Sequence, residues 1–180
     1  MASLDTMLLI DGYNIIGAWP KLEATKAKLG LAEARQGLTE AIASYVAFQG
    51  YRTRIVFDAH YQQQAAHCEQ ITAELELYFT DAGQTADSHI EWVCAQARHT
   101  ITPYKRIIVA TSDRDHRLTV TGYGAEWMSA QQLIQRVALS THRIRDRAQQ
   151  AKGRSRRTLA ATIDPVVQQK LNQLRFGYPP

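Results

Sequence analysis

Residues 8–19 read LLIDGYNIIGAW. The apolar run at 8–10 has the form of a buried strand, yet it ends on Asp11, with Gly12, Tyr13 and Asn14 behind it. A carboxylate at the end of a buried strand is costly unless it is paired, hydrogen-bonded or metal-bound, so the stretch is either turn chemistry or a site. Two further runs repeat its form: RIVFD (54–58) and RIIVATSD (106–113) are apolar and β-branched, and each arrives at an acid. Between the first two, residues 31–49 are rich in Ala, Leu, Glu and Arg and stop at Gly50, a pattern that predicts a crossover helix with a glycine C-cap. Short apolar runs alternating with helical segments predict an α/β fold with a parallel sheet.

The remaining segments fit that frame. ITAELELYFT (71–80) is apolar at every second position and is read as a short strand, although its Ala, Glu and Leu favour helix. GQTADSHIEWVCAQARH (83–99) sets Ile90, Val93 and Ala97 on one helical stripe, with Thr85 or Asp87 as its cap. GAEWMSAQQLIQRV (124–137) reads as a strand to Met128 and a helix opened by the Ser129/Gln132 capping box. DPVVQQKLNQLRFG (164–177) reads as a closing helix capped by Asp164 with Pro165 in its first turn, and RAQQAKGRSRR (147–157) is expected to be mobile.

A chain of 180 residues with 45% hydrophobic content supports one domain with a tail. Only Cys68 and Cys94 are present, and MASLDTMLLID lacks the form of a signal peptide, so a reducing, cytoplasmic setting is expected. No run approaches the ~18–20 apolar residues of a membrane span. Between Arg136 and Arg157, eight cations face the single acid Asp146, giving +7 and leaving the rest of the chain at −3. That split fits an anionic partner or a solvated helix face about equally. The chain has no GxxxxGK[ST] or GxGxxG phosphate cradle, and no DxD after its first strand. His60, His67 and Cys68 lack a fourth zinc ligand at suitable spacing, and His116, just after the acids, is placed either to touch a scissile phosphate or to cover the loop, the second reading being preferred.

In open parallel sheets the ligand crevice lies at the carboxyl ends of the strands, where Asp11, Asp58 and Asp113 are expected. Asp87 joins them from a helix start, and Glu91 falls on the same helical face. Carboxylates that close repel one another, so the cluster calls for a cation, and oxygen ligands suit Mg²⁺ or Mn²⁺. Gly12 is expected to permit a tight exit from the first strand.

Taken in order, LLIDGYNIIGAW, IVFDAH, QTADSHIE, VATSDRD and GAEWMSAQQL resemble the YacP-type NYN domains, relatives of the PIN-domain nucleases, over residues 7–175. The resemblance implies a PIN-like three-layer α/β/α sandwich over residues 1–142. Residues 143–180 would form a basic segment and C-terminal helix packing on or extending that domain. It also implies a divalent-metal-dependent endoribonuclease hydrolysing RNA phosphodiester bonds, and in bacterial relatives an association with translation or RNA turnover, making the ribosome an expected partner. Asp11, Asp87 and Asp113 match the metal-binding acids, Asn14 their polar partner, and Asp58 the acid after the second strand. Ser88 departs from the pattern, since the family often has a second acid there, and it leaves the number of metals open.

On this reading Asp11, Asn14, Asp87, Ser112 and Asp113 carry the chemistry. Mg²⁺ or Mn²⁺ would sit on Asp11, Asp87 and Asp113, with Asp58, Glu91 and Asp115 as further candidates. RNA would meet Tyr13, Arg114, Arg117, Arg143, Arg145, Arg147, Lys152, Arg154, Arg156 and Arg157. The rival is a non-catalytic RNA- or ribosome-binding module on the same fold.

Overall fold

The structure, a computed structural model, describes residues 5–58, 65–99 and 104–162, with side chains up to residue 150. The chain divides into two compact units, Met1–Thr141 and His142–Pro180. The first unit opens with β1 (Thr6–Asp11), α1 (Gly12–Ala18), α2 (Pro20–Leu29) and α3 (Leu31–Gln49). Then come β2 (Arg52–Phe57), β3 (His67–Gln70), β4 (Leu75–Phe79) and α4 (Ala86–His99). β5 (Arg106–Ala110), α5 (Arg114–Gly122), β6 (Glu126–Met128) and α6 (Ala130–Thr162) follow. In the second unit the described part is the continuation of α6, and its side chains at 142–150 are exposed.

The strands form one sheet in the order β3-β4-β2-β1-β5-β6, antiparallel only between β3 and β4. β1 is buried along its whole length because it pairs in parallel with β2 on one side and β5 on the other. Alternating residues feed two cores. Leu8 and Ile10 pack with Ile15, Leu38, Ile42 and Leu133 from α1, α3 and α6. Met7 and Leu9 pack with Ile90, Cys94 and Val120 from α4 and α5. The sheet is therefore covered on both faces, the three-layer α/β/α arrangement.

Several expectations hold and several are corrected. The helix at 31–49 closes on Gly50, whose φ of 72° is the left-handed conformation glycine adopts freely and whose N–H donates to Val46 O at 2.7 Å. The strand read within 71–80 is β4, and the Ser129/Gln132 capping box forms with both reciprocal bonds, at 3.0 and 3.2 Å. The stretch 147–157, expected to be mobile, continues α6: it is made mostly of Ala, Gln, Arg and Lys, good helix formers, and contains no Pro. The Asp164 helix lies outside the described residues. α1, α2 and β3 were not anticipated.

Candidate metal centre

Asp11 is the last residue of β1, opposite Val56 on β2, and also the N-cap of α1, where its Oδ1 accepts from the Asn14 N–H at 3.2 Å. It is thus both local capping chemistry and a buried acid at the sheet's carboxyl edge. Gly12 is needed for space, not for a tight exit. Its φ is not positive, and a Cβ there would lie 2.2 Å from Phe57 Cε1.

Asn14 Oδ1 accepts from the Ser112 N–H at 2.6 Å, tying the start of α1 to the loop after β5. On that loop Asp113 caps α5, its Oδ1 accepting from the N–H groups of Asp115 at 2.8 Å and His116 at 3.4 Å. The cap fixes the first turn of α5 and with it His116. Asp87 comes from the opposite direction, in the first turn of α4, where the helix N-terminus favours an anion. Thr85 starts that helix by accepting from the Ser88 N–H at 3.1 Å, and its hydroxyl lies 2.8 Å from that of Ser88.

These elements bring Asp11, Asp87 and His116 together, each offering one ligand atom within 4.8 Å of the others. His116 Nδ1 is 2.9 Å from Asp87 Oδ1, and the imidazole is 1% exposed. Neither of those atoms, nor His116 Nε2, has a hydrogen-bond partner, so the close pair is electrostatic contact without a directed bond. Buried polar atoms left unsatisfied are costly, and a cation between Asp87 Oδ1 and one imidazole nitrogen would satisfy two of them.

The charges point the same way. Burial, opposed by the Asn14 N–H and reinforced by the charge of Asp87, pushes Asp11 up from 3.8 to about 6. The His116 imidazole holds Asp87 below the usual carboxylate range. His116 is pushed down by burial but raised on balance by Asp87, Asp11 and Glu91.

The other expected site residues lie around this trio. Asp113 contributes the α5 cap and is not among the three clustered ligands. Asp58 follows β2 half-buried, Glu91 is half-buried on α4, and Asp115 is exposed in the first turn of α5. Tyr13 packs its ring on Phe57, centroids 5.1 Å apart. Ser112, Arg114 and Arg117 are exposed, and Arg143, Arg145 and Arg147 are exposed on α6. The side chains of Lys152, Arg154, Arg156 and Arg157 lie outside the described residues, as does His60. His67 stacks on Phe79 at 4.5 Å, and the Cys68 thiol donates to Glu76. The sequence favours a loop-covering role for His116, whereas the structure sets it beside Asp11 and Asp87. The available signal was Asp113 itself, since an N-cap at 113 puts residue 116 in the first helical turn, beside the strand ends.

The family model of the YacP-like NYN domain matches residues 8–176. Protein YacP of Bacillus subtilis (strain 168) is 40% identical over 141 residues, 78% of this chain and 80% of that protein. The crystal structure of Rae1 (YacP) from Bacillus subtilis superposes with a TM-score of 0.68 at 34% identity, over 95% of each chain. A variant of the same protein gives 0.65 at 32%, over 91% of this chain and 89% of that one. The acids at the carboxyl edge, the mostly parallel sheet and these likenesses converge: the chain belongs to the YacP-like NYN domain family.

Proposed function

We propose that the protein is a divalent-metal-dependent endoribonuclease that hydrolyses RNA phosphodiester bonds, with mRNA on or near the ribosome as its setting. The observation that carries this reading is the trio Asp11, Asp87 and His116, clustered around a buried imidazole with three polar atoms that make no hydrogen bond, in a chain of a nuclease-type family. The trio would hold the metal. Two carboxylates suit Mg²⁺ and Mn²⁺, and the imidazole tilts the set toward Mn²⁺. Such an ion supplies an activated water and neutralises charge on the phosphate.

The chain's own groups prepare that site. Asp11, near half-protonated at pH 6 in the metal-free protein, and His116, whose proton its acidic neighbours hold above the ordinary 6.5, both give up a proton to a cation, so affinity rises as pH rises through 6 and goes on rising above 6.5. Asn14 holds the Ser112 loop in place, and Asp113 orients α5 and thereby His116. The +7 segment of α6 supplies attraction for a phosphate backbone that the remaining −3 would repel. Ser88, standing where relatives often carry a second acid, favours the rival reading of an RNA-binding module without catalysis.

Cleavage of total RNA and of translating ribosomes, with Mn²⁺ and with chelator, separates the two. Metal-dependent cutting is expected, and Asp87→Asn should abolish it together with calorimetric Mn²⁺ binding. Cutting that survives Asp87→Asn would remove Asp87 from the site, and absence of Asp87-dependent Mn²⁺ binding would leave the module.

A further inference from the structure

A cavity flanks the first turn of α5. It measures about 450 Å³, within the range of small-ligand sites, and Ser112, Arg114, Arg117, Trp127, Ser129 and Gln131 line it. Its floor is an aromatic ring held in one orientation, since the Trp127 indole N–H donates to Thr111 O at 3.0 Å. The Arg117 guanidinium lies over that ring, 4.4 Å from its centroid. Among the described residues neither Arg114 nor Arg117 is in an ion pair, so both charges remain available to an anion. The N-terminal end of α6, capped by the neutral Ser129 hydroxyl, borders the same space and adds positive potential.

We infer that this cavity is a nucleotide subsite of the RNA strand: one base of single-stranded substrate stacks on the Arg117–Trp127 pair while Arg114 and Arg117 take its phosphates. Fixed aromatics beside unpaired arginines are the chemistry that holds single-stranded nucleic acid. The inference rests on the endoribonuclease reading for its register. Arg117 is the residue after His116, so their Cα atoms are ~3.8 Å apart. The trio and the cavity are therefore served by neighbouring residues of one helical turn. A strand crossing that turn with its scissile phosphate at Asp11, Asp87 and His116 puts an adjoining nucleotide over Trp127. Stacking tolerates any base, so the subsite supplies grip and register more than sequence preference.

The test uses the full chain carrying Asp87→Asn, labelled with 5-fluorotryptophan, in chelator. Trp19→Phe and Trp92→Phe assign the fluorine resonances. A short single-stranded RNA, followed by anisotropy, should shift the Trp127 resonance on binding. Walking an abasic site along the RNA should weaken binding about tenfold at one position, a penalty that disappears in Trp127→Leu. Bound RNA with an unmoved Trp127 resonance, or an abasic profile unchanged by Trp127→Leu, overturns the subsite and leaves the nuclease reading intact. A shifted resonance in a protein whose unsubstituted form never cleaves with Mn²⁺ overturns the nuclease and keeps the subsite. Absence of RNA binding overturns both. If Trp127→Leu fails to fold, the fluorine shift in the chain that keeps Trp127 decides.

Discussion

Asp11 and His89 are both buried, at 9% and 4% exposure, and they titrate in opposite directions from their ordinary values. Burial and the nearby Arg54 guanidinium, 3.3 Å from Nε2, push His89 down from 6.5 to about 4, whereas Asp11 stands at about 6. A base with a depressed folded pKa contributes stability that is present above 6.5 and lost as pH falls through 4. An acid with a raised folded pKa contributes stability that is full below 3.8 and lost as pH rises through 6. Each effect amounts to about 3 kcal/mol, so between pH 6.5 and pH 4 they nearly cancel in the metal-free protein. Asp11→Asn should therefore uncover an acid loss of about that size, and His89→Gln an acid gain, by urea unfolding at the two pH values. Parallel pH profiles for the two variants would contradict the assignment. A steric test belongs at the same scale. Gly12→Ala drives a methyl into the Phe57 ring, which is fully buried and stacked on Phe79 at 5.5 Å. It should cost about 1–3 kcal/mol in urea unfolding, and an unchanged midpoint would mean that the ring moves aside freely.

At the level of elements, what could be read from sequence depended on whether a local signal had one meaning or two. α3 was legible from end to end because composition, length and Gly50 agree. α1 was not, because Asp-Gly after a strand signals a turn and an N-cap alike, and Asp11 turned out to be the cap. β3 was hidden because HCEQ is polar and mostly exposed. Its pairing with β4 and the His67–Phe79 stack come from tertiary context. In the candidate site, strand-end and helix-start patterns point to Asp11 and Asp87, whereas the clustering of His116 with them, and not Asp113, depends on α5 geometry that the sequence does not display. The basic half of α6 is plain in composition and yields a quantitative expectation. Each phosphate neutralised on a single strand adds a salt slope of about −0.7, so Arg154, Arg156 and Arg157 changed together to Ala should flatten the slope by up to roughly 2 units. The rate at saturating RNA should change little, and the loss should be uniform across sequences. An unchanged affinity and slope would make the segment a solvated helix.

Across the whole molecule, the trio gathers residues 11, 87 and 116 from three separate stretches of chain, and only the folded sheet brings them within 4.8 Å. A cation that binds there binds the native state alone, so it raises stability by mass action: about 2.7 kcal/mol at a hundred times the dissociation constant. For a chain of this size that corresponds to a rise in Tm of roughly 5–10 °C with Mn²⁺. The double change of Asp11 and Asp87 to Asn should not respond, and an equal shift in both proteins would place the ion elsewhere. Asp113 then separates the two roles that the sequence left joined. As the α5 cap, its change to Asn preserves the accepting oxygen and should keep both Tm and the Mn²⁺ response, while Asp113→Ala removes the cap, should cost about 0.5–2 kcal/mol in the presence of chelator too, and should weaken the Mn²⁺ response by loosening His116. As a direct ligand, Asp113→Asn would instead flatten the Mn²⁺ response as Asp87→Asn does. The structure, in which Asp113 Oδ1 is taken by two backbone N–H groups and His116 carries the unpartnered nitrogens, favours the first result.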